Sequence, residues 1–298
     1  MYSVVVTMAA YNGSQWIKAQ TESILSQKNV NITLVVSVDL SSDITKKIVQ
    51  DIALKNTKVV FLTDGERFGS ASANFFRLIR DADLDAFDYI ALSDQDDIWQ
   101  ADKLPHAINK IQENNIDAYS SNVTAFWPNG QQRLINKAQP QQQWDYMFES
   151  AGPGCTFVLT RKLGLEIQAF LIENQTQCQQ VALHDWFIYA FARSRGFKWL
   201  IDHESHMLYR QHAVNVVGAN VGIKAKIQRF KKLREGWLFE QALIIAEILG
   251  YTNMPPIQKI KRLSLLDRVW LIFNVSKLRR RLRDRIALAF FMMLFVKK

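Results

Sequence analysis

The sequence predicts an α/β fold with a largely parallel sheet, and three observations carry that expectation. Strand-like and helix-like segments alternate through the first third of the chain, the strand-like segments are short apolar runs, and carboxylates cluster where one of these runs ends. Continuous apolar runs suit strands covered on both faces, as the strands of a helix-flanked parallel sheet are.

Taken in order, Val4-Val5-Val6-Thr7 reads as the first strand, and residues 14–27 follow with helical spacing of Trp16, Ile17, Ile24 and Leu25. Residues 32–38 form the next strand. Residues 43–54 read as a helix that Ser42 or Asp43 can cap, and residues 58–62 as a third strand. Residues 72–80 are helical and Tyr89-Ile90-Ala91-Leu92 is the fourth strand. This βαβαβαβ order is that of a nucleotide-binding sheet, although the order alone does not name the nucleotide.

The middle of the chain is less regular. Pro128-Asn129-Gly130 marks a turn, and residues 139–143 form a polar loop. Ala151-Gly152-Pro153-Gly154-Cys155 implies either a close backbone approach or a tight turn. A strand follows at Thr156-Phe157-Val158-Leu159, and residues 183–195 form a helix ended by Gly196. From about residue 223 the pattern changes to helices with basic faces: residues 225–250 broken near Gly236, a stop at Met254-Pro255-Pro256, and a last run from residue 260. The expected division is a first domain over residues 1–222 and a basic amphipathic helical tail over residues 223–298, with the boundary in residues 218–222.

The net charge of +9 is concentrated in that tail. Residues 1–223 hold 19 Lys and Arg against 23 Asp and Glu, whereas residues 224–298 hold 18 against 5. Two cysteines, Cys155 and Cys178, make no disulfide framework and have no zinc spacing, so reduced cytosolic thiols are expected. The start has neither the basic region nor the apolar stretch of a signal peptide. The longest uncharged apolar run, residues 286–296, has 11 residues, where a spanning helix needs about 20.

Asp94, Asp96 and Asp97 fall at the carboxyl end of the fourth strand, where open α/β sheets bind their ligands. Charges this close repel unless a cation or a set of donors lies among them, and Asp94 and Asp96 can converge on one hard divalent ion. The plainer reading is a solvated loop in which Asp97 caps a helix beginning at Ile98-Trp99.

The opening Thr7-Met8-Ala9-Ala10-Tyr11-Asn12-Gly13 resembles the first strand and loop of the family 2 glycosyltransferases, inverting enzymes of the GT-A fold. Four further stretches agree in order: Asp39 within Ser37-Val38-Asp39-Leu40-Ser41-Ser42-Asp43, the Asp-X-Asp motif in Asp94-Gln95-Asp96-Asp97, His184-Asp185-Trp186, and Tyr209-Arg210-Gln211-His212 with Asn215-Val216-Val217-Gly218. The Asp-X-Asp stretch and the last motif resemble the rhamnosyltransferase-like branch, His184-Asp185-Trp186 falls where the family carries its catalytic carboxylate, and the similarity spans roughly residues 3–220. Val38 and Leu40 depart from the family pattern, which has two acids there and a glycine.

That resemblance implies roles. Asp185 would be the catalytic base, with an N-cap as the plainer alternative. Asp96, Asp94 and His212 would hold Mg²⁺ or Mn²⁺. Tyr11, Asn12, Asp39, Asn74, Asp94, Arg210 and His212 would contact a nucleoside-diphosphate sugar, with dTDP-rhamnose favoured. The acceptor would be a lipid-linked saccharide of a bacterial surface glycan. A metal-dependent nucleotidyltransferase or a non-catalytic, membrane-bound nucleotide-sugar binding protein are the alternatives; only one glycine follows the first strand, which speaks against the former.

The run Lys277-Leu278-Arg279-Arg280-Arg281-Leu282-Arg283 leads into the apolar residues 286–296. A basic amphipathic segment beside an apolar one suits an in-plane anchor on an anionic leaflet, placing the protein at the inner face of the cell membrane. Nucleic acid is disfavoured, because Phe290-Phe291-Met292-Met293-Leu294-Phe295 is useless against phosphates. Packing of this helix on the core, or on a second subunit in a homo-oligomer, is the other option.

Overall fold

A computed structural model describes residues 1–62, 67–212 and 236–294 of the chain. Eleven strands are described: β1 Tyr2–Ala10, β2 Val30–Val38, β3 Val59–Phe61, β4 Tyr89–Asp94, β5 Ile98–Trp99, β6 Ala118–Ser121, β7 Val123–Phe126, β8 Gln132–Ile135, β9 Val158–Thr160, β10 Trp199–Asp202 and β11 Met207–Arg210. The helices are α1 Ile17–Leu25, α2 Thr45–Lys55, α3 Ala71–Asp81, α4 Lys103–Glu113, α5 Arg161–Glu173, α6 Gln175–Cys178 and α7 His184–Ser194. The C-terminal set is α8 Trp237–Leu249, α9 Pro255–Arg262, α10 Leu265–Phe273, α11 Val275–Leu278 and α12 Leu282–Leu294.

Seven strands form the main sheet in the order β10-β6-β9-β4-β1-β2-β3. All neighbours are parallel except β9, which runs against both β4 and β6. The expected α/β class is therefore present, with one reversed strand inside it. β1 lies at the centre of the first half-sheet and is buried from Val4 to Ala10. Its side chains alternate between two cores: Val4, Val6, Met8 and Ala10 share one with residues of α1, α2 and α4, while Val5 and Ala9 share the other with α3, α5 and α7. That two-residue period on a doubly covered strand is why the run is apolar throughout.

The register sets the site. Ala10 lies beside Val38 and Ala9 beside Asp94, so the carboxyl ends of β1, β2 and β4 meet along one edge. The loops that leave this edge carry Tyr11, Asp39 and Gln95.

A second sheet, β5-β11-β7-β8, was not legible from the residues. Ile98-Trp99, expected to open a helix, instead pair antiparallel with Leu208 and Met207. Asp97 is accordingly no helix cap: α4 begins at Lys103, after Asp102. The cap expected for α2 also differs, since Ile44 occupies that position and Asp43 reaches the helix by accepting from the amide and hydroxyl of Thr45. Neither is Asp185 an N-cap; that position is Leu183, and Asp185 lies in the first turn of α7. Gly196 ends α7 with a φ of 82°, as expected.

The C-terminal helices differ from the expected continuous run. Pro255 opens α9 at its first position, where its missing N–H costs nothing, rather than stopping a helix. Leu263 at φ 52° and the Ser264–Asp267 capping box then separate α9 from α10. These helices share a hydrophobic cluster with the main body through Phe239, Ile245, Leu271, Leu288, Phe291 and Met292. The basic run is partly enclosed: Arg280 pairs with Asp145 at 3.2 Å, its side chain 2% exposed against 0% for its partner. Packing of the tail onto the core is thus what α12 does with one face. The residue 218–222 boundary, the Asn215-Val216-Val217-Gly218 motif and the start of the 225–250 helix lie outside the described residues.

Candidate active site

The site is built from four segments: the β1 loop, the tip of β4, the end of β11 and the start of α7. The β1 loop is held by direct bonds to the start of α2 and to Gln95. Asn12, at φ 47°, turns the chain so that Gly13 and Ser14 donate to Thr45 Oγ1 at 2.8 Å and Asp43 Oδ2 at 3.0 Å. Burial alone would raise the Asp43 carboxyl, but hydrogen bonds from Thr45 and Ser14 outweigh it and hold the group at about 2. Gln95 brackets Tyr11, accepting from its amide at 2.8 Å and donating to its carbonyl at 2.6 Å. A side chain at Gly13 would run into Gln95 Oε1, since a Cβ there sits 1.9 Å from it.

At the tip of β4 the acidic residues separate. Asp96 Oδ2 lies 2.7 Å from His212 Nε2, and the His212 ring stacks on Trp16 with centroids 4.0 Å apart. Arg210 Nε donates to the Asp96 carbonyl at 2.7 Å, and its guanidinium lies over the Phe126 ring. The β5–β11 register explains this: Leu208 faces Ile98, so two residues further along Arg210 comes opposite Asp96. Asp97 is fully buried, accepts from the Arg210 amide at 3.1 Å through Oδ1, and has no hydrogen-bond partner for Oδ2 among the described residues.

Asp94 and Asp97 converge with the Cys155 thiol, their ligand atoms within 4.8 Å of one another. Burial, with the Asp96 charge beside it, pushes Asp94 up to about 7, and burial with the Asp96 and Asp94 charges raises Asp97 well above the usual carboxylate range. Burial also holds the thiol well above its ordinary range, so Cys155 is a neutral group beside the carboxylates. Lys103, stacked over Trp99 with its Nζ 3.4 Å from the ring centre, is pulled down to about 7 by burial. The protein thus leaves carboxylates at this tip short of positive charge.

Asp185 faces this cluster closely enough for Asp94 to sense its charge. Its Oδ1 accepts from the Trp186 amide at 2.7 Å, and burial raises it to about 6. The preceding His184 stacks on Phe75, and burial drops its ring to about 3, so it is neutral. Gly154 shows what the glycine-proline-glycine stretch approaches: a Cβ there would sit 2.4 Å from His184 Nε2.

Of the residues singled out in the sequence, the structure pairs Asp96 with His212 and Arg210, sets Asp94 instead with Asp97 and Cys155, and leaves Asp185 near enough to affect Asp94, with Tyr11 and Asn12 at the rim; the expected trio Asp94, Asp96 and His212 is not gathered on one point. Asp39 and Asn74 lie at the same sheet edge but act on backbone. Asp39 accepts from the amides of Leu40, Phe68 and Gly69 at 2.7 to 2.9 Å. Asn74 donates to the carbonyls of Ala10 and Ser37, tying the ends of β1 and β2. Trp16, Gln95, Asp97, Lys103 and Cys155 belong to the site although their sequence contexts read as helix or loop.

A family model described as Glycosyl transferase family 2 matches residues 5–166. The chain belongs to this family. It is a glycosyltransferase, which sets the nucleotidyltransferase reading aside. Over 94% of its length the glycosyltransferase is 44% identical to a dTDP-rhamnosyl transferase, RfbG of Shigella flexneri, covering 96% of that protein. A second relative, the Escherichia coli UDP-Glc:alpha-D-GlcNAc-diphosphoundecaprenol beta-1,3-glucosyltransferase WfgD, is 32% identical over 54% of this chain and 62% of its own length. Among solved structures, Staphylococcus aureus TarS 1-349 in complex with UDP-GlcNAc superposes with a TM-score of 0.52 at 14% identity, over 96% of this chain and 81% of that one. The mannosyltransferase PcManGT of Pyrobaculum calidifontis, in complex with GDP-Man and Mn²⁺, gives 0.51 at 14%, over 97% and 84%. Both likenesses establish the GT-A fold for this family member.

Proposed function

We propose that this glycosyltransferase moves rhamnose from dTDP-rhamnose to a lipid-diphosphate-linked saccharide, with inversion at the anomeric carbon, in the synthesis of a bacterial surface glycan. The donor follows the name of the 44% identical relative, and the acceptor class follows the diphosphoundecaprenol substrates named for the E. coli relatives. The observation that carries the chemistry is the under-neutralised acidic tip of β4 beside the His212–Asp96 pair.

That tip fits a hard divalent cation, Mg²⁺ or Mn²⁺. Asp97 Oδ2 is buried without a partner among the described residues, and Asp94 is too poorly compensated to ionise readily at neutral pH. Asp96, Asp94 and His212 would hold the ion, which when bound offsets the negative charge growing on a departing diphosphate. Asp185 serves as base: it takes the proton from the acceptor hydroxyl as that oxygen attacks from the face opposite the leaving group. A carboxyl raised to about 6 is ionised at neutral pH yet more basic than an exposed aspartate. Arg210 fixes the Asp96 backbone, and Trp16 holds the His212 ring in place. Asp39 and Asn74 position the strand ends on which Tyr11 and Asn12 border the nucleotide.

The catalytic unit is placed in residues 1–222 and the membrane-facing unit in residues 223–298. No helix among the described residues is long and apolar enough to cross a membrane. Two neighbouring C-terminal helices nevertheless leave apolar lines in solvent: Leu265, Leu266, Val269 and Phe273 on α10, and Leu282, Ile286, Phe290 and Met293 on α12. Lys261, Arg262, Lys277 and Arg283 are exposed around them. Such a surface lies in the headgroup plane of an anionic leaflet, each Lys or Arg contributing about 1 kcal/mol. A lipid-borne acceptor requires that placement.

The test is a transfer assay with purified chain, Mn²⁺, a synthetic GlcNAc-diphospholipid acceptor and a panel of nucleotide sugars. The reading expects product from dTDP-rhamnose. Product from a different donor only would reject the assigned sugar.

A further inference from the structure

Apart from the donor site, three of the chain's five histidines, His106, His203 and His206, collect with Asp102, Asp202 and Glu204. They lie where the start of α4 meets the turn between β10 and β11. The rings of His106 and His206 stack with centroids 4.0 Å apart and 27° between their planes. His106 Nε2 is 2.7 Å from Asp202 Oδ2, an oxygen to which Tyr119 also donates at 3.1 Å. His206 Nδ1 is 3.1 Å from Asp102 Oδ1, and its Nε2 is 3.5 Å from Glu204 Oε2. Both nitrogens of His206 are buried, and neither makes an aligned hydrogen bond among the described residues.

Stacked imidazoles repel once both are protonated, whereas neutral rings beside carboxylates are the donor set that borderline first-row ions take. We propose that His106, His206 and Glu204 bind a single Zn²⁺-class ion, at a site separate from the acidic tip of β4. One nitrogen of each ring and one Glu204 oxygen lie within 4.8 Å of one another. Tetrahedral zinc ligands sit about 3.4 Å apart, so the set must draw in by roughly an ångström. Glu204, 44% exposed, has the freedom to do so. One outer partner is already in place, Asp202 on His106, and Asp102 lies 3.1 Å from His206 Nδ1, where a small rotation would align it; such carboxylate–histidine pairs orient metal-ligating rings.

The consequence reaches the active site. The His206 carbonyl accepts from the Gln100 amide at 3.0 Å, and β11 runs from Met207 to Arg210, whose Nε donates to the Asp96 carbonyl. An ion here ties α4 to the strand that carries Arg210, bracing it from the far end.

The experiment is a Co²⁺ titration of the full chain followed by visible absorption, run in parallel on Asp96→Asn so that the donor site does not contribute. One equivalent of Co²⁺ should give a d–d band in both proteins, Zn²⁺ should bleach it, and Mg²⁺ should leave it unchanged. His206→Gln and Glu204→Gln should abolish the band, and Asp102→Asn should weaken binding about tenfold. Glu204 is exposed, so its variant decides the matter if His206→Gln does not fold. No stoichiometric band, or one that survives Glu204→Gln undiminished, overturns the proposal. A band lost in Asp96→Asn but kept in the histidine variants assigns the ion to the donor site and overturns it equally.

Discussion

His212 Nε2 lies 2.7 Å from Asp96 Oδ2 while the same ring stacks on Trp16 at 4.0 Å, which joins the end of β11, the tip of β4 and the loop after β1. A ring held on both sides presents a fixed nitrogen toward the acidic tip. His212→Ala should weaken Mn²⁺ binding at least about 10- to 100-fold, the range found for losing even the partner that orders a ligand. Mn²⁺ titration by electron paramagnetic resonance reads this directly; an unchanged affinity would remove His212 from the metal shell.

Asp185→Asn should abolish transfer while leaving nucleotide affinity nearly intact. The pH profile of the unaltered enzyme should rise through about 6, because the base works only when ionised. Stability moves the other way. A folded-state pKa raised above the ordinary value of 3.8 favours the fold below that pH, and the benefit is lost as pH rises through about 6. Asp185→Asn should therefore flatten the decline in Tm between pH 4 and pH 6, which thermal melts at the two ends of the window can check.

Gly154→Ala should cost about 1–3 kcal/mol, since the new methyl meets the His184 ring, which Phe75 backs on its other side. Because Asp185 follows His184 on the same helix turn, kcat should fall more than donor affinity. A variant as stable and active as the parent would mean that this packing does not set Asp185.

Arg280→Met tests how the tail is attached. It strands the buried Asp145 carboxylate, with Arg193 3.5 Å away as the counter-ion left among the described residues, and should cost about 3 kcal/mol in urea unfolding. Less than about 1 kcal/mol would imply that the C-terminal helices are loosely held.

Leu266→Glu combined with Phe273→Glu, at positions 80% and 83% exposed, should leave unfolding unchanged and abolish flotation with phosphatidylglycerol vesicles. Flotation equal to that of the parent would refute the membrane face.

The main sheet was legible because its strands are covered on both faces and so carry uninterrupted apolar runs, as Val4-Val5-Val6 does. The place of Asp94 and Asp96 at a strand end was legible because the apolar run Tyr89-Ile90-Ala91-Leu92 stops just before them. What stayed hidden depends on distant partners. Ile98-Trp99 reads as a helix start until β11 arrives from more than a hundred residues away, and that pairing made Asp97 a buried acid instead of a cap. Arg279 and Arg280 read as part of a basic face for an anionic leaflet until Glu149 and Asp145 are brought to them. Trp16 showed only its helical spacing, and Cys155 only a lone thiol, since neither a stacking partner nor a neighbouring carboxylate leaves a mark at the residue's own position.

The most direct test is calorimetric binding of dTDP-rhamnose in the presence of Mn²⁺, compared between the unaltered chain, the same chain with chelator, and Asp96→Asn. If the tip of β4 grips a cation that engages the donor diphosphate, affinity should fall at least tenfold in both altered conditions. Equal affinity in all three would contradict it.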